Sequence, residues 1–441
     1  MSSYRQGGTV LADHTFSVPL DHDRPAGERI EIFAREIATA DRASAALPWL
    51  LFLQGGPGFG APRPHGRDGW LDRALDDYRV LLLDQRGTGR STPATRQTLA
   101  RFGTAAEQAG YLAHFRADAI VRDAELVRRA VTGGEPWSVL GQSYGGFCTV
   151  TYLSLAPEGV REAVITGGLP GLDVSADDVY RVTYGKVRAK TLAHYERYPG
   201  DADQARRIAH YLRDHEVVLP GGAPLTVEAF QSLGRMLGTS TGGDDLHYLI
   251  EDPFAAGGLS DAFLHAVAQL LSFAAGPLYA VLHEPSYAQQ AATRWSAQRI
   301  RAEFGEFDPA AALDGDGQLL FTGKMIYPWM FEADPVLRPL RGAADALAER
   351  AGWPALYDAT RLAANDVPVV ASVYEGDMYV PAEISLPTAR AIRGLKVWVT
   401  NEYEHDGLRT SNGAVLDRLL ALARGPEAGT GGGRPVDSGC D

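Results

Sequence analysis

Unbroken apolar runs of strand length recur along the first part of the chain. The first three are each followed by a glycine-rich turn and then by helix-like sequence. Continuous apolar strands that alternate with helices indicate a parallel sheet with both faces covered, so the pattern predicts an α/β fold. The runs are Leu50 to Leu53, Val80 to Leu83, Val139 to Leu140 with its flanks, and Ala163 to Thr166.

Residues 16–37 precede these runs and have a different pattern. Apolar and polar residues alternate there on both sides of a Pro/Gly turn. Alternation with a period of two is typical of a strand that has one buried face. The segment therefore predicts an antiparallel hairpin at the start of the sheet.

The pattern changes again after the fourth apolar run. From about Asp173 to Asn365 the sequence is helix-like, rich in alanine and poor in strand-like runs. Strand patterns return at Val367 to Tyr374 and at Leu395 to Thr400, and a last helix is expected at about Ala414 to Arg424. The remaining residues are too poor in apolar side chains to fold. The predicted domains are a core formed by 1–172 and 366–424, a helical cap at 173–365, and a disordered tail at 425–441.

Composition narrows the possible partners. The chain has 441 residues with 45% hydrophobic and 22% charged residues, which is the balance of a folded globular protein. Its net charge of −13 repels nucleic acids and anionic membranes, so we predict neither as a partner. No apolar segment has the length of a signal peptide or a membrane span, which predicts a cytoplasmic protein. Cys148 and Cys440 lack a neighbouring ligand set, so no metal site is predicted.

The strongest chemical motif follows the third apolar run. Gly141-Gln142-Ser143-Tyr144-Gly145 lies between a predicted strand and a predicted amphipathic helix. A G-x-S-x-G sequence in this setting is a nucleophile elbow, because the glycines allow a turn sharp enough to lift the serine hydroxyl above the sheet. We predict that Ser143 is a catalytic nucleophile.

A second glycine-rich turn, Gln54 to Gly58, follows the first apolar run. Acyl transfer requires two N–H donors directed at the oxyanion. The elbow supplies one from Tyr144, and the glycine turn is predicted to supply the other from Gly56, with Gly55 as the alternative. A third turn, Asp84 to Ser91, is predicted to hold loops together and not to take part in the chemistry.

A serine nucleophile needs a base, and the base needs a carboxylate that orients it. In this fold they follow in the order Ser, Asp, His at the ends of later strands. Asp377 comes just after one late strand pattern and His405 just after the other, and no other histidine follows the predicted cap. We predict that His405 is the general base and Asp377 its orienting acid. Asp366, Glu375 and Asp406 are less favoured alternatives for the acid.

Together the sequences GGPG, DQRGTGRS, GQSYGG and GDMYVP and the late histidine resemble the proline iminopeptidase family of α/β hydrolases, in particular its subgroup with a larger cap. The resemblance implies an α/β-hydrolase fold and release of N-terminal proline from peptides through an acyl-enzyme, without a cofactor. Gln54 stands where the family usually has histidine.

The activity implied by the resemblance requires a carboxylate for the free amine of a small peptide or amide substrate and an apolar slot for the proline ring. The cap segment KMIYPWMFEADP offers both kinds of residue. We predict Glu332 as the carboxylate, with Tyr327, Trp329 and Phe331 as walls of the slot.

Two other functions are kept as alternatives. One is an esterase, amidase or biosynthetic tailoring hydrolase with the same core and a different pocket. The other is a ligand-binding protein that keeps the fold without catalysis, since fold alone does not determine function. The presence of all three triad candidates disfavours the latter.

Overall fold

The structure is a computed structural model, and it describes residues 2–67, 69–315 and 317–425. Nearly all of the predicted tail, residues 426–441, lies outside the described part of the chain.

A nine-stranded sheet forms the centre of the molecule, with the strand order β1-β2-β3-β5-β4-β6-β7-β10-β11. The first three strands are antiparallel to their neighbours, and all the others are parallel. A second sheet is a short hairpin of β8 and β9. The strands are β1 Ser2–Gln6, β2 Thr9–Pro19, β3 Arg29–Thr39, β4 Trp49–Leu53, β5 Arg79–Leu83, β6 Trp137–Gln142, β7 Val160–Thr166, β8 Phe254–Ala255, β9 Gly258–Leu259, β10 Val369–Tyr374 and β11 Lys396–Thr400.

Each predicted apolar run is a strand of the parallel part of the sheet, and the predicted hairpin is β2 paired with β3. The predicted α/β-hydrolase fold is thus confirmed. Strand β1 was not predicted, because its sequence SSYRQ is polar and gives no apolar pattern. It pairs at the edge of the sheet through its backbone, which side-chain patterns do not reveal.

Helices cover both faces of the sheet. Helices α1, α18 and α19 pack on one face through residues such as Trp70, Leu408 and Leu416. On the other face, α4 and α5 contribute residues such as Ile120 and Val150. The core helices are α1 Gly69–Leu75, α2 Arg96–Leu99, α3 Ala105–Leu112, α4 Ala117–Thr132, α5 Tyr144–Leu155, α17 Ala382–Ala391, α18 Gly407–Thr410 and α19 Ala414–Arg424.

The chain between β7 and β10, here called the inserted segment, is mainly helical. Its apolar side chains join the hydrophobic cluster on the α4 and α5 face of the sheet. Among the described helices, none is both long and apolar enough to span a membrane. The helices of the inserted segment are α6 Ala176–Arg197, α7 Pro199–Asp214, α8 Val227–Gln231, α9 Gly242–Ile250, α10 Asp261–Leu271, α11 Pro277–Leu282, α12 Ser296–Arg301, α13 Pro309–Leu313, α14 Met330–Ala333, α15 Arg341–Ala348 and α16 Ala359–Ala363.

Short 3₁₀ helices connect several of these elements. One lies in the core before β7, and the others lie in the inserted segment. They are Pro157–Gly159, Ser232–Gly238, Glu284–Ser286, Gly305–Phe307 and Arg338–Leu340. The domain boundaries given above remain predictions, since the inserted segment shares its hydrophobic cluster with the core.

Candidate active site

Ser143 lies at the sharp turn between β6 and α5. Its backbone angles, φ 57° and ψ −122°, are unusual for a residue with a side chain. Two backbone hydrogen bonds hold the turn, from Ser143 N–H to the Thr166 carbonyl at 2.9 Å and from Gly146 N–H to the Ser143 carbonyl at 2.7 Å. Such strain is typical of a nucleophile elbow, which exposes the serine hydroxyl at the carboxyl end of the sheet.

Close packing explains the glycines on either side of Ser143. A Cβ atom at Gly145 would overlap the carbonyl group of Leu53 on β4. A Cβ atom at Gly141 would overlap the carbonyl group of Gly145. Helix α5 can therefore begin directly against the neighbouring strand only because these positions lack side chains.

His405 lies between Ser143 and Asp377. Its Nε2 atom is 2.8 Å from Ser143 Oγ, and its Nδ1 atom is 2.6 Å from Asp377 Oδ2. Asp377 follows β10 and His405 follows β11, so both come from loops at the edge of the sheet where the elbow lies. The exposed fractions of the three residues are only 4%, 5% and 0%, in the order Ser143, His405, Asp377. The structure thus brings the three predicted residues into one hydrogen-bonded chain.

Backbone groups fix the orientation of the Asp377 carboxylate. Its Oδ1 atom accepts hydrogen bonds from the N–H groups of Tyr379 at 2.7 Å and Val380 at 3.0 Å. The Tyr379 ring also contacts the His405 ring edge-on, with 4.8 Å between the ring centroids. With Nδ1 donating to Asp377, Nε2 of His405 is free to accept the Ser143 hydroxyl proton.

The alternative acids have other partners. Asp366 is exposed and forms an ion pair with Arg393. Asp406 accepts hydrogen bonds from the backbone N–H of Ser240 at 3.1 Å and from its hydroxyl at 2.7 Å. Glu375 is exposed. Within the described part of the chain, Asp377 is the only carboxylate that hydrogen-bonds to His405.

The glycine turn after β4 packs directly on the elbow. A Cβ atom at Gly55 would lie 2.8 Å from the Cβ atom of Ser143. The backbone N–H groups of Gly56 and Tyr144 have no hydrogen-bond acceptor among the described residues. These donors are therefore available to an oxyanion on a substrate, and the N–H of Gly55, the predicted alternative, likewise has no acceptor among the described residues.

Two side chains hold this turn in place from opposite sides. Gln85, in the turn after β5, donates from Nε2 to the Gln54 carbonyl at 2.9 Å. Lys324, in the inserted segment, donates from Nζ to the Gly56 carbonyl at 3.1 Å. The predicted oxyanion turn is therefore anchored both to the core and to the inserted segment.

The turn from Asp84 to Ser91 binds loops together, as its sequence suggested. The Asp84 carboxylate accepts the N–H groups of Ala61 and Arg90, each at 2.8 Å. Arg86 is fully buried and forms a bidentate pair with Asp123, with distances of 2.7 and 2.6 Å. These contacts tie the turn to the loop after β4 and to helix α4.

Ser143 and His405 line a cavity of about 380 Å³ between the core and the inserted segment. Its charged side chains are all basic: Arg235, Lys324 and Arg409. No acidic residue is found among the described residues of its wall. The other lining residues are Gln54, Gly55, Gly56, Phe59, Gln142, Thr239, Ser272, Phe273, Ala275, Gly276, Tyr279 and Tyr379.

The structure does not support Glu332 as the carboxylate for the substrate amine. Its side chain is 55% exposed and pairs with Arg341. It lines a separate surface pocket and not the cavity that contains Ser143. The prediction is corrected on this ground, because a residue on the short helix α14 points according to its packing, which the segment's composition does not reveal.

Two of the three predicted slot walls also lie elsewhere. Tyr327 is buried, and its hydroxyl is 2.8 Å from that of Tyr184. Phe331 is fully buried and packs edge-on against Trp295, with 5.5 Å between ring centroids. Both are packing residues of the inserted segment. Trp329 lines a smaller cavity of about 50 Å³, which shares Arg235, Phe273, Tyr279 and Lys324 with the larger one.

Lys324 is the residue of this segment that reaches the cavity beside Ser143, and the sequence interpretation missed it. Burial lowers the pKa of its ammonium group to about 8, and the negative charge of Asp377 partly offsets this effect. It lies over the rings of Tyr279 and Tyr379, at 5.5 and 5.6 Å from their centroids. A carboxylate was predicted in this segment, whereas the side chain at the cavity is a cation.

A buried carboxylate does occur in the inserted segment, at Glu284. Burial raises its pKa to about 7, although backbone N–H groups oppose the shift. Its oxygens accept hydrogen bonds from the N–H groups of Ser296 at 3.0 Å and Ala297 at 2.8 Å. No sequence pattern distinguishes Glu284, because a single glutamate between helices is usually exposed.

Aromatic rings connect the elbow with the surroundings of Glu284. Phe147 on α5 lies 6.0 Å from the ring of Tyr144 and 6.1 Å from that of Tyr287. Tyr287 in turn contacts Tyr180 at 6.2 Å and His283 at 5.5 Å. The Tyr180 hydroxyl and both ring nitrogens of His283 are buried without a hydrogen-bond partner among the described residues. The cluster is therefore mainly aromatic, and the Tyr180 hydroxyl and the His283 ring remain free to hydrogen-bond a ligand.

The chain is similar to known hydrolases. The model of the α/β hydrolase fold matches residues 48–254. A proline iminopeptidase of Aeromonas sobria is 49% identical over 422 residues, which cover 96% of this chain and 98% of that protein. A proline iminopeptidase of Aspergillus aculeatus is 36% identical and covers 94% of both chains. A proline iminopeptidase of Neisseria gonorrhoeae is 33% identical, but over only 27% of this chain and 32% of its own.

Proposed function

The chain belongs to the proline iminopeptidase family of α/β hydrolases, and on this basis we propose that it releases N-terminal proline from peptides or prolyl amides through an acyl-enzyme on Ser143. The observation that carries the proposal is the hydrogen-bonded chain Ser143–His405–Asp377, of which Ser143 and His405 line a cavity. The protein is similar over nearly its whole length to proline iminopeptidases.

In the first half of the reaction, Ser143 Oγ attacks the prolyl carbonyl carbon while His405 Nε2 takes the hydroxyl proton. Asp377 stabilises the imidazolium that forms. The N–H groups of Gly56 and Tyr144 receive the developing oxyanion. His405 then gives its proton to the leaving amine, and the C–N bond breaks.

In the second half, water attacks the prolyl ester on Ser143. His405 takes a proton from this water and returns it to Ser143 Oγ as proline leaves. The inserted segment supplies part of the cavity wall beside these groups, through residues such as Phe273 and Tyr279.

For the amine of the substrate, we propose Glu284 in place of Glu332. Neither glutamate lines the cavity at Ser143, but Glu284 is buried and follows His283 of the aromatic cluster that leads from the elbow, whereas Glu332 is exposed. Glu284 is buried, it is ionised above its pKa of about 7, and its oxygens keep lone pairs that its backbone donors do not use. The aromatic cluster of Phe147, Tyr180 and Tyr287 supplies apolar surface for the proline ring. The unused polar atoms of Tyr180 and His283 add hydrogen-bonding capacity beside it.

The test is hydrolysis of prolyl, alanyl and leucyl chromogenic amides and of simple acyl esters by the wild type and by Ser143→Ala. We expect a clear preference for proline and a loss of at least about 10⁴-fold in kcat for the variant. Ester cleavage without turnover of any aminoacyl amide would favour the esterase or tailoring alternative. No turnover, together with no labelling by a serine-directed fluorophosphonate, would favour the ligand-binding alternative.

We further propose that the substrate is a small peptide and that the protein acts in the cytoplasm without a nucleic-acid partner. The net charge of −13 supports the last point, since it opposes binding to a polyanion. The location rests on the sequence expectation alone.

A further inference from the structure

The cavity at Ser143 has an unusual charge distribution for a protein that is acidic overall. The chain carries a net charge of −13, yet the cavity wall presents Arg235, Lys324 and Arg409 and no acidic residue among those described. The buried Asp377 is committed to His405 and to two backbone N–H groups. A site of this kind favours a ligand that brings its own negative charge.

The guanidinium groups of Arg235 and Arg409 keep their hydrogen-bond donors free, although that of Arg235 lies over the ring of Phe273, 6.0 Å from its centroid. In the described part of the chain, neither Arg235 nor Arg409 donates a side-chain hydrogen bond or forms an ion pair. Other arginines in the described part of the chain do form ion pairs, as Arg341 does with Glu332. Lys324 differs, because it already donates to the Gly56 carbonyl. Arg235 and Arg409 are therefore the cations available to a ligand.

The two arginines come from segments that are joined to each other. Arg235 lies in the 3₁₀ helix Ser232–Gly238 of the inserted segment, and Arg409 lies in α18 after the catalytic loop of β11. Ser240 binds Asp406 through both its N–H and its hydroxyl group, and this contact connects the two segments. Asp406 forms no ion pair with either arginine in the described part of the chain, because its oxygens accept from Ser240 instead.

We propose that Arg235 and Arg409 bind the C-terminal carboxylate of the leaving group, so that the preferred substrates are short prolyl peptides with a free C-terminus. This inference rests on the proposed function. In a dipeptide the carboxylate is one residue from the scissile bond, and each further residue moves it by up to about 3.5 Å. A cavity of about 380 Å³ holds a few residues at most. Arginine suits the task because its planar fork matches a carboxylate.

The experiment compares kcat/KM for Pro-Ala with that for Pro-Ala-amide, which lacks the negative charge. We expect the wild type to favour Pro-Ala by about tenfold or more, since hydrogen bonds between charged groups are stronger than those between neutral groups. Higher ionic strength should reduce this ratio. Arg235→Gln and Arg409→Gln should each lower it, and the double variant should bring it near one.

Three controls keep the outcome interpretable. Arg96→Gln changes an exposed arginine on α2 outside the cavity wall and should leave the ratio unaltered. Arg235→Lys and Arg409→Lys keep the charge and should retain part of the preference. Circular dichroism and thermal unfolding check that each variant is folded.

A wild-type ratio near one, or a ratio that persists in the folded double variant, would overturn the carboxylate site while prolyl hydrolysis itself remained established. If neither Pro-Ala nor Pro-Ala-amide is hydrolysed, the proposed function fails and the carboxylate site fails with it.

Discussion

The core and the inserted segment place their functional residues in different ways. In the core, Ser143, Asp377 and His405 each follow a strand within a few residues, so the parallel sheet brings them to one edge. In the inserted segment, Lys324 reaches the cavity while Glu332, eight positions later, faces solvent. A parallel sheet brings the residues that follow its strands to one edge through backbone pairing. In loops and short helices, the orientation of each side chain depends on its packing.

The difference appears also in how the two regions are held. Asp377 is oriented by backbone N–H groups of its own loop, which require no particular side chain. The turn at Gly56 is held partly by Lys324 from the inserted segment. The triad is thus formed by core residues alone, whereas residues of both regions form the cavity around it.

The largest effect should come from breaking the triad within the core. Asp377→Asn keeps the shape of the side chain and loses the charge that orients and stabilises protonated His405. We expect kcat for prolyl amides to fall by about 10⁴-fold with little change in KM, as for loss of the acid in other serine triads. Steady-state kinetics check this, and unfolding curves should match the wild type within about 1 kcal/mol. Activity within tenfold of the wild type would remove Asp377 from the mechanism.

Sequence patterns were sufficient for the core because its elements have strong local signals. Each parallel strand contains a short apolar run. The elbow at Ser143 has a glycine at 145 because a side chain there would overlap Leu53. The choice of Asp377 over Asp406 follows from strand position, which the topology makes meaningful. Strand β1 was missed because a polar edge strand pairs through backbone groups alone.

The inserted segment has no comparable local signals. The composition of KMIYPWMFEADP suggested aromatic walls and a carboxylate, but Tyr327 and Phe331 are packing residues. Which side chain of a loop or short helix faces a cavity depends on contacts with segments distant in sequence, here the contact of Lys324 with the Gly56 turn of the core. Glu284 and Arg235 likewise acquire their surroundings only in the folded chain.

The second prediction compares two glutamates of the inserted segment, one buried and one exposed. Glu284→Gln should raise KM for prolyl substrates by about 10- to 100-fold, because a charge-assisted hydrogen bond to the substrate amine is lost. The effect on kcat should be smaller. Glu332→Gln is the matched control, and its KM should stay within about twofold of the wild type since its side chain is 55% exposed.

The pH dependence adds a second measurement to this pair. With a pKa of about 7, Glu284 gains its charge as pH rises through neutrality, so the wild-type KM should fall over that range. The Glu332→Gln variant should show the same fall, and Glu284→Gln should not. An equal KM in both variants would mean that another group binds the substrate amine and that Glu284 has only a packing role.

The smallest effect is expected where the two regions meet, at Lys324. Its folded pKa, about 8, is below its ordinary value of 10.5, so the unfolded chain binds more protons between these pH values and stability rises with pH there. The full shift corresponds to about 3 kcal/mol, and cavity water and the lost bond to Gly56 reduce what a substitution recovers. Lys324→Met should therefore be more stable than the wild type by about 1–2 kcal/mol at pH 7, and the difference should shrink toward pH 10. Denaturant unfolding at both pH values measures this.

A Lys324→Met variant that is less stable at pH 7 would mean that the bond to the Gly56 carbonyl outweighs the cost of burying the charge. The inserted segment would then stabilise the oxyanion turn of the core.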